Sequence, residues 1–187
     1  MATATQTELD RITGDYTIDA AHTRIGFQAR HEMVTKVRGH FSDVEGSFHL
    51  DPAHPENSSA TVTIQAKSID TGNADRDAHL RSNDFFAMDE YPEIEFVSTS
   101  AERVDDTGFK LTGDLSIRGV TRPVTIEFEY NGVETDPWGN TRVGFEGSTE
   151  VNRKDWGVSW NAALDSGGVL VSDKVKLEFD VSATKIA

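Results

Sequence analysis

The sequence predicts a single-domain, all-β protein. Three observations predict this class: apolar residues recur at every second position over most of the chain, turn-forming residues separate these runs, and helical periodicity is nearly absent. Alternation with a period of two gives each strand one apolar face and one polar face. About eight antiparallel strands of this kind can bury their apolar faces in a two-sheet sandwich or in one sheet closed into a barrel.

The alternating runs follow a short polar segment. Residues 1–13 are small and polar, and we expect a disordered tail there, followed by the folded domain over residues 14–187. The apolar positions of the successive strands are Tyr16 and Ile18; Ile25, Phe27 and Ala29; Phe48 and Leu50; Val62, Ile64 and Ala66; Ile94, Phe96 and Ser98; Phe109, Leu111, Gly113, Leu115 and Ile117; Val124, Ile126, Phe128 and Tyr130; Val143, Phe145, Gly147, Thr149 and Val151; and Val175, Leu177, Phe179 and Val181. Turns are predicted at Asp51-Pro52, Asp106-Thr107-Gly108, Arg118-Gly119, Asn131-Gly132, Asp136-Pro137 and Ser166-Gly167-Gly168.

The predicted inward positions mix large and small side chains. A barrel of about eight strands has an interior that side chains just fill, or that holds one small ligand. The pattern is therefore consistent with two interiors: a tapering core that side chains fill, or an apolar cavity lined by aromatic rings. For a cavity, the expected lining residues are Phe27, Phe85, Phe86, Phe96, Leu115, Phe128, Phe145, Trp160 and Phe179.

Residues 71–96 form the one irregular and strongly charged connection between predicted strands. A short helix is predicted over residues 74–82, capped by Asn73 or Thr71. Asp77 and Arg81 are four positions apart, which favours an ion pair on this helix. The adjacent aromatics that follow the helix are expected to plug one end of the barrel. A second helical turn is predicted near residues 152–156.

The charged residues of these segments have two interpretations. In the first they form a structural network that braces a lid, with Arg153 pairing an acid of residues 75–84. In the second, Arg76 and Arg81 donate hydrogen bonds to an anionic head group at the barrel mouth. The candidates for a head-group site or a structural charge network are His22, Arg76, Asp77, His79, Arg81 and Arg153.

Composition argues against several classes of partner. The 187 residues carry a formal net charge of -14, which disfavours nucleic acid and anionic membrane surfaces. The absence of cysteine excludes disulfides and thiolate chemistry. The first ten residues lack the basic and apolar regions of a signal peptide, so a cytoplasmic location is predicted.

No catalytic residue, metal site or cofactor is predicted. The six histidines include no pair at a spacing of two or four, and hydrolase motifs are absent. Asp77 and His79, with Arg76 and Arg153 nearby in space, could perform acid–base chemistry. A charge network that braces the barrel is the favoured interpretation of these four residues.

Several motifs together resemble the YceI-like family of polyisoprenoid-binding proteins, which have a lipocalin-like barrel. The resemblance covers nearly all of the chain after residue 13. It implies an extended antiparallel barrel of about eight strands, with one or two short helices at its ends. It also implies an apolar pore that takes a long isoprenoid or fatty chain. The motifs are Tyr16-Thr17-Ile18-Asp19, His22-Thr23, Gly39-His40-Phe41, Ile69-Asp70-Thr71-Gly72, Arg76 to Phe86, Tyr91-Pro92-Glu93-Ile94-Glu95-Phe96, Gly113 to Thr121, Asn152 to Gly157 and Val175-Lys176-Leu177.

The first functional hypothesis is non-catalytic carriage or sequestration of an amphiphilic isoprenoid-like or long-chain lipid. Two alternatives remain: an enzyme that acts on a prenyl lipid through His79, Asp77 and Arg76, and a ligand-free, dimeric, stress-related barrel. The exposed faces of a barrel are compatible with a homodimer in any of the three cases.

Overall fold

The computed structural model describes residues 5–164, 168 and 170–186, and these form an all-β barrel with two short helices. The helices are α1 (Gln6–Ile12) and α2 (Ala74–Arg81). The strands are β1 (Gly14–Ile18), β2 (Arg24–His31), β3 (Thr35–Phe41), β4 (Val44–Leu50), β5 (Ser59–Gln65), β6 (Ile69–Asp70), β7 (Glu93–Arg103), β8 (Gly108–Ile117), β9 (Val120–Thr135), β10 (Thr141–Asn152) and β11 (Lys174–Lys185). Short 3-10 turns lie at Ala20–His22, Pro55–Asn57, Ala66–Ser68 and Arg153–Trp156.

One antiparallel sheet closes on itself. Its strand order is β1-β4-β5-β7-β8-β9-β10-β11, and β1 pairs with both β4 and β11. Strands β2, β3 and β6 extend the wall as continuations of β1, β4 and β5, because β11 pairs with both β1 and β2 along one edge. The wall therefore has eight positions, which confirms the predicted barrel and decides against a sandwich.

The alternating strand directions give the barrel two distinct ends. The α1 end carries helix α1, the Pro55–Asn57 turn and the β7–β8 and β9–β10 turns. The α2 end carries helix α2, the β2–β3 hairpin, the β8–β9 turn and the connection from β10 to β11. Each end therefore has a short helix, as the resemblance implied. None of the helices in the described residues is long and apolar enough to cross a membrane.

Helix α1 corrects the expectation of a disordered tail for the part of residues 1–13 that it covers, Gln6–Ile12. Thr5 caps the helix by accepting a hydrogen bond from the backbone N–H of Glu8 at 3.1 Å. Leu9 and Ile12 are fully buried in the α1 end of the barrel. Two apolar residues in a polar stretch gave too weak a signal, but their burial against the barrel offsets the cost of ordering a short helix.

The other helical predictions match the structure closely. Helix α2 covers Ala74–Arg81, and the Oδ1 atom of Asn73 accepts a hydrogen bond from the backbone N–H of Arg76 at 3.0 Å. The predicted second turn is the 3-10 turn at Arg153–Trp156. Strands β3 and β6 were missed, because Thr35 and Gly39 interrupt the apolar face of β3 and β6 is only two residues long.

One predicted turn was wrong. Asn131 and Gly132 lie within β9, where Gly132 has a φ of 140° and the pairing with β10 shifts register beside Phe145. Asn131 is the extra residue of a β-bulge, so its turn chemistry bends the strand instead of ending it. The other turn signals lie between strands, except that residues 166 and 167 fall outside the described part of the chain.

Candidate ligand-binding site

An apolar cavity of about 290 Å³ runs along the inside of the barrel. Almost all of its wall consists of apolar atoms from the inward faces of the strands. On β8 the lining extends from Phe109 to Ile117, which are nine residues separated by eight steps along the strand. At about 3.3 Å per residue and a strand tilt of about 40°, this is about 20 Å along the barrel axis. The cavity is therefore a narrow channel suited to a chain.

Eight of the nine predicted lining residues lie in the cavity wall. They are Phe27, Phe85, Phe86, Phe96, Leu115, Phe128, Phe145 and Phe179. Trp160 is outside this wall and instead contacts His79 and Phe85, with ring centroids 4.6 Å and 5.4 Å away. Its position differs because residues 157–160 leave the barrel wall after the Arg153–Trp156 turn.

The small residues of the interior seat the aromatic rings. A Cβ atom on Gly39 would lie 2.5 Å from Cζ of Phe27, and one on Gly113 would lie 2.5 Å from Cζ of Phe96. Both distances are far below van der Waals contact, so only glycine admits the rings in these orientations. The rings therefore lie close to the wall over the glycines, which leaves space for the channel along the barrel axis.

The α2 end of the channel is closed by buried side chains. Phe85 and Trp156 are almost fully buried, and Val158 lies beside them in the same core cluster. The indole Nε1 of Trp156 donates a hydrogen bond of 2.8 Å to the carbonyl of Leu115. Phe86 is half-buried and packs edge-on against Phe41 at 6.0 Å. The two adjacent aromatics therefore plug this end, as predicted.

Helix α2 is fixed by hydrogen bonds to Thr71, and the predicted Asp77–Arg81 ion pair does not form. Oδ1 of Asp77 accepts hydrogen bonds from the backbone N–H and the hydroxyl of Thr71, at 3.0 and 2.5 Å. Nε of Arg76 donates to the same hydroxyl at 2.7 Å, and Nη2 donates to the carbonyl of Thr71 at 2.7 Å. Arg81 turns the other way and donates to the carbonyls of Lys67 and Ile69.

The two candidate histidines lie apart from the cavity. Nε2 of His79 is 2.7 Å from Oδ2 of Asp84, and the His79 ring packs edge-on against Phe85. His22 is exposed, with its Nδ1 atom 2.8 Å from Oδ2 of Asp19 at the β1–β2 junction. Neither ring contacts Asp77, so the proposed acid–base group of Asp77 and His79 is not assembled.

Arg153 is buried, but its partners are not the predicted acids of residues 75–84. Its guanidinium donates to four carbonyls of the β10–β11 connection, at distances between 2.7 and 3.3 Å. Burial lowers the pKa of Arg153, and the nearby Asp173 carboxylate acts in the opposite direction. Arg153 therefore organises this connection with four of its five N–H donors, and its side chain also lines the cavity wall.

A second core cluster fills the α1 end beside the channel. Leu9 and Ile12 of α1 pack with Tyr16, Tyr130 and Phe145. Burial raises the pKa of Tyr16 to about 12, and its hydroxyl donates to the carbonyl of Ile12 at 2.7 Å. Burial, followed by the hydrogen bond to Glu8, also raises the pKa of Tyr130.

The channel reaches the surface at the α1 end, under the Pro55–Asn57 turn. Ser59 is exposed, and Pro55, Ser58 and Ala101 are half-buried, yet all four line the cavity. At the opposite end, Phe85 and Trp156 of the lining are 5% and 2% exposed. Sequence analysis did not single out this turn, and its only signal was Asp51-Pro52.

The described residues contain no group of three or more His, Asp or Glu side chains that could hold a metal ion. The residues that could contact a ligand are the apolar wall and the few polar side chains beside it, which include Arg153 at the α2 end and Lys110 at the α1 end.

Comparison with known proteins gives one consistent result. The YceI-like domain profile matches residues 16–183. A curated relative from Shewanella denitrificans, named UPF0312 protein, is 40% identical over 173 residues, which cover 91% of this chain and 87% of the relative. The solved YCEI protein of Campylobacter jejuni is 30% identical with a TM-score of 0.73, covering 84% of this chain and 90% of that one.

A more distant structure shares only the fold. It is a polyisoprenoid binding domain from Saccharophagus degradans, described as implicated in plant cell wall breakdown. It is 13% identical with a TM-score of 0.70, and the match covers 91% of this chain and 98% of that one.

Proposed function

The chain belongs to the YceI-like family, and on that premise we propose that it binds and carries, or sequesters, a long-chain isoprenoid-like lipid without acting on it chemically. The observation that carries this proposal is the narrow apolar channel of about 290 Å³, which is lined from Ser59 at the α1 end to the buried Phe85 and Trp156 at the α2 end. The polyisoprenoid-binding description of the Saccharophagus degradans domain supports an isoprenoid chain as the ligand.

The energetics of burial favour a chain-shaped ligand. Each methylene removed from water contributes about 0.8 kcal/mol, so a long tail can offset the cost of association without polar contacts. A compact polar metabolite would leave its hydrogen-bonding groups unpaired in this channel, at a cost of about 1–3 kcal/mol for each group. The wall therefore supports tail recognition over recognition of a polar molecule.

The positions of the charged residues support a role without catalysis. Asp77 is bonded to Thr71, His79 to Asp84, and Arg76 to Thr71. All three serve the structure of the lid and lie beyond the buried aromatics that seal the channel. A homodimer and a cytoplasmic location remain predictions from the sequence.

Native mass spectrometry of the purified protein, followed by lipid extraction, tests this proposal. We expect a co-purifying long-chain species, and the delipidated protein should bind geranylgeraniol, a neutral lipid with a C20 isoprenoid tail. An empty protein that also fails to bind this alcohol would contradict the proposal. Turnover of an added prenyl lipid would instead favour an enzyme.

Two substitutions on β7 provide a matched pair for locating the bound chain. Ala101→Phe adds a ring inside the channel near its opening, whereas Val97→Phe adds the same ring at an exposed position of the same strand. We expect Ala101→Phe to weaken geranylgeraniol binding about tenfold or more, equivalent to about 1.4 kcal/mol, and Val97→Phe to leave it unchanged. Equal effects of the two variants would place the lipid outside the channel.

A further inference from the structure

We propose that the bound lipid has an uncharged head group, which lies under the Pro55–Asn57 turn at the α1 end of the barrel. This inference rests on the proposed lipid binding and names the class of lipid. It reverses the expectation that arginines of the α2 end hold an anionic head group.

The location follows from where the channel wall is open. Among the described residues that line the cavity, Ser59 at the α1 end is the exposed one, whereas Phe85, Trp156 and Val158 at the α2 end are each less than 10% exposed. A lipid whose tail occupies the apolar channel would therefore leave its polar end here, where water can satisfy it.

The charges around this opening are mostly negative. Glu56 lies within the turn and is exposed, and Asp51 begins the same loop. Desolvation acts to raise the pKa of Asp51, but hydrogen bonds from Asn57 and from the backbone N–H of His54 outweigh it, so the pKa is lowered. The Asp51 carboxylate is consequently ionised at neutral pH.

Lys110 and Arg103 are cations of this end, and each has a partner. Lys110 lines the opening, and its Nζ atom is 3.8 Å from Oε1 of Glu127 on the neighbouring strand. Arg103, near the end of β7, donates to the carbonyls of Asp105 and Asp106. A phosphate group placed beside Lys110 would therefore also meet the Glu127 carboxylate.

Four arginines of the α2 end already donate to groups of the protein. Arg76 and Arg81 donate to Thr71 and to carbonyls of residues 67 and 69. Arg118 donates to the carbonyls of Phe85 and Gly157. Arg153 donates four of its five N–H groups to carbonyls. An anionic head that took over these donors would leave buried carbonyls without partners.

Electrostatics therefore predict different affinities for two lipids that have the same tail but different head groups. A pyrophosphate brings several negative charges close to the Asp51 and Glu56 carboxylates on a protein of net charge -14, and repulsion opposes its binding. A hydroxyl, carbonyl or amide head carries no such cost and can hydrogen-bond to water at the opening. The channel and the charges around its opening therefore favour a neutral isoprenoid lipid.

The test compares geranylgeraniol with geranylgeranyl pyrophosphate on the delipidated protein. We expect the alcohol to bind about tenfold more tightly at about 0.01 M salt, with the ratio narrowing at about 1 M salt as charges are screened. Equal or tighter binding of the pyrophosphate at low salt would overturn the inference while leaving the proposed function intact. Failure of both lipids to bind would overturn the proposed function and the inference with it.

A charge reversal tests the location of the head group. Glu56→Lys changes the charge in the turn, whereas Glu95→Lys makes the same change at an exposed position on the outer face of β7. Glu56→Lys should strengthen pyrophosphate binding severalfold without altering alcohol binding, and Glu95→Lys should have little effect on either. Equal responses of the two variants would show that the head group does not lie under the turn.

Discussion

At the scale of single residues, Asp77 holds the start of the lid in place through Thr71. Its side chain is 7% exposed, and one carboxylate oxygen accepts both hydrogen bonds from Thr71. Arg76 completes the arrangement by donating to the hydroxyl and carbonyl of Thr71. Three residues thus tie helix α2 to the chain that leaves β6, which keeps the aromatic seal over the channel.

Replacing Asp77 with Ala should lower the free energy of unfolding by about 1–3 kcal/mol, because it leaves donors of Thr71 without an acceptor. Asp75→Ala is the matched control: Asp75 lies in the same first turn of α2 but is exposed, so only the helix-dipole contribution of about 0.3–1 kcal/mol is lost. Chemical denaturation measures both values. Unchanged stability of Asp77→Ala together with weaker lipid binding would show a role in the ligand site.

The inward aromatic residues were predictable from the sequence, but the partners of the charged residues were not. Alternation alone assigns a face to Phe96 or Phe145, because the period of a strand fixes the direction of each side chain. Spacing suggested an ion pair between Asp77 and Arg81, but both found backbone groups nearby. Arg153 likewise binds carbonyls brought together by the fold, which no local pattern encodes.

At the scale of elements, an aromatic ring on one strand packs over a glycine on the paired strand. Phe27 of β2 lies opposite Gly39 of β3, and its ring occupies the space where a Cβ atom of residue 39 would be. The sequence placed small and large residues on the inward faces, but it left open a filled core and a cavity. Whether the interior is filled or hollow depends on which residues face each other across strands, and the strand that carries Gly39, β3, was not predicted.

A methyl group at Gly39 should therefore push the Phe27 ring toward the channel. Gly39→Ala should cost about 1–3 kcal/mol in overpacking and weaken lipid binding severalfold. Gly144→Ala is the control, since a Cβ atom there would meet nothing closer than 3.8 Å. Thermal unfolding and lipid titration of both variants give the comparison. If Gly39→Ala binds lipid as tightly as the wild type, the ring has moved away from the ligand.

At the scale of the whole molecule, the N-terminal segment completes the barrel. The YceI-like profile begins at residue 16, and α1 lies before it. Nevertheless Leu9 and Ile12 are as buried as the core of the barrel, and the hydroxyls of Tyr16 and Tyr130 bond to α1. The sequence predicted a tail because helical propensity and periodicity over seven residues are weak, whereas the packing that stabilises α1 is contributed by distant strands.

Leu9→Ala provides the test of this integration. If α1 is part of the cooperative core, removing the buried side chain should lower the free energy of unfolding by about 2–5 kcal/mol, through lost burial and the remaining cavity. Thr7→Ala, at an exposed position of the same helix, should have little effect. Denaturant unfolding of the two variants measures this difference.

Titration of Tyr16 distinguishes two outcomes of Leu9→Ala: α1 stays docked over a cavity, or α1 detaches from the barrel. Burial raises the pKa of Tyr16 to about 12, so its phenol should ionise well above the ordinary value near 10 while α1 remains in place. In Leu9→Ala, a pKa that stays near 12 with reduced stability indicates a cavity beneath a docked helix. A pKa that falls toward 10 with an unchanged unfolding free energy would show that α1 detaches independently, and that the barrel is stable without it.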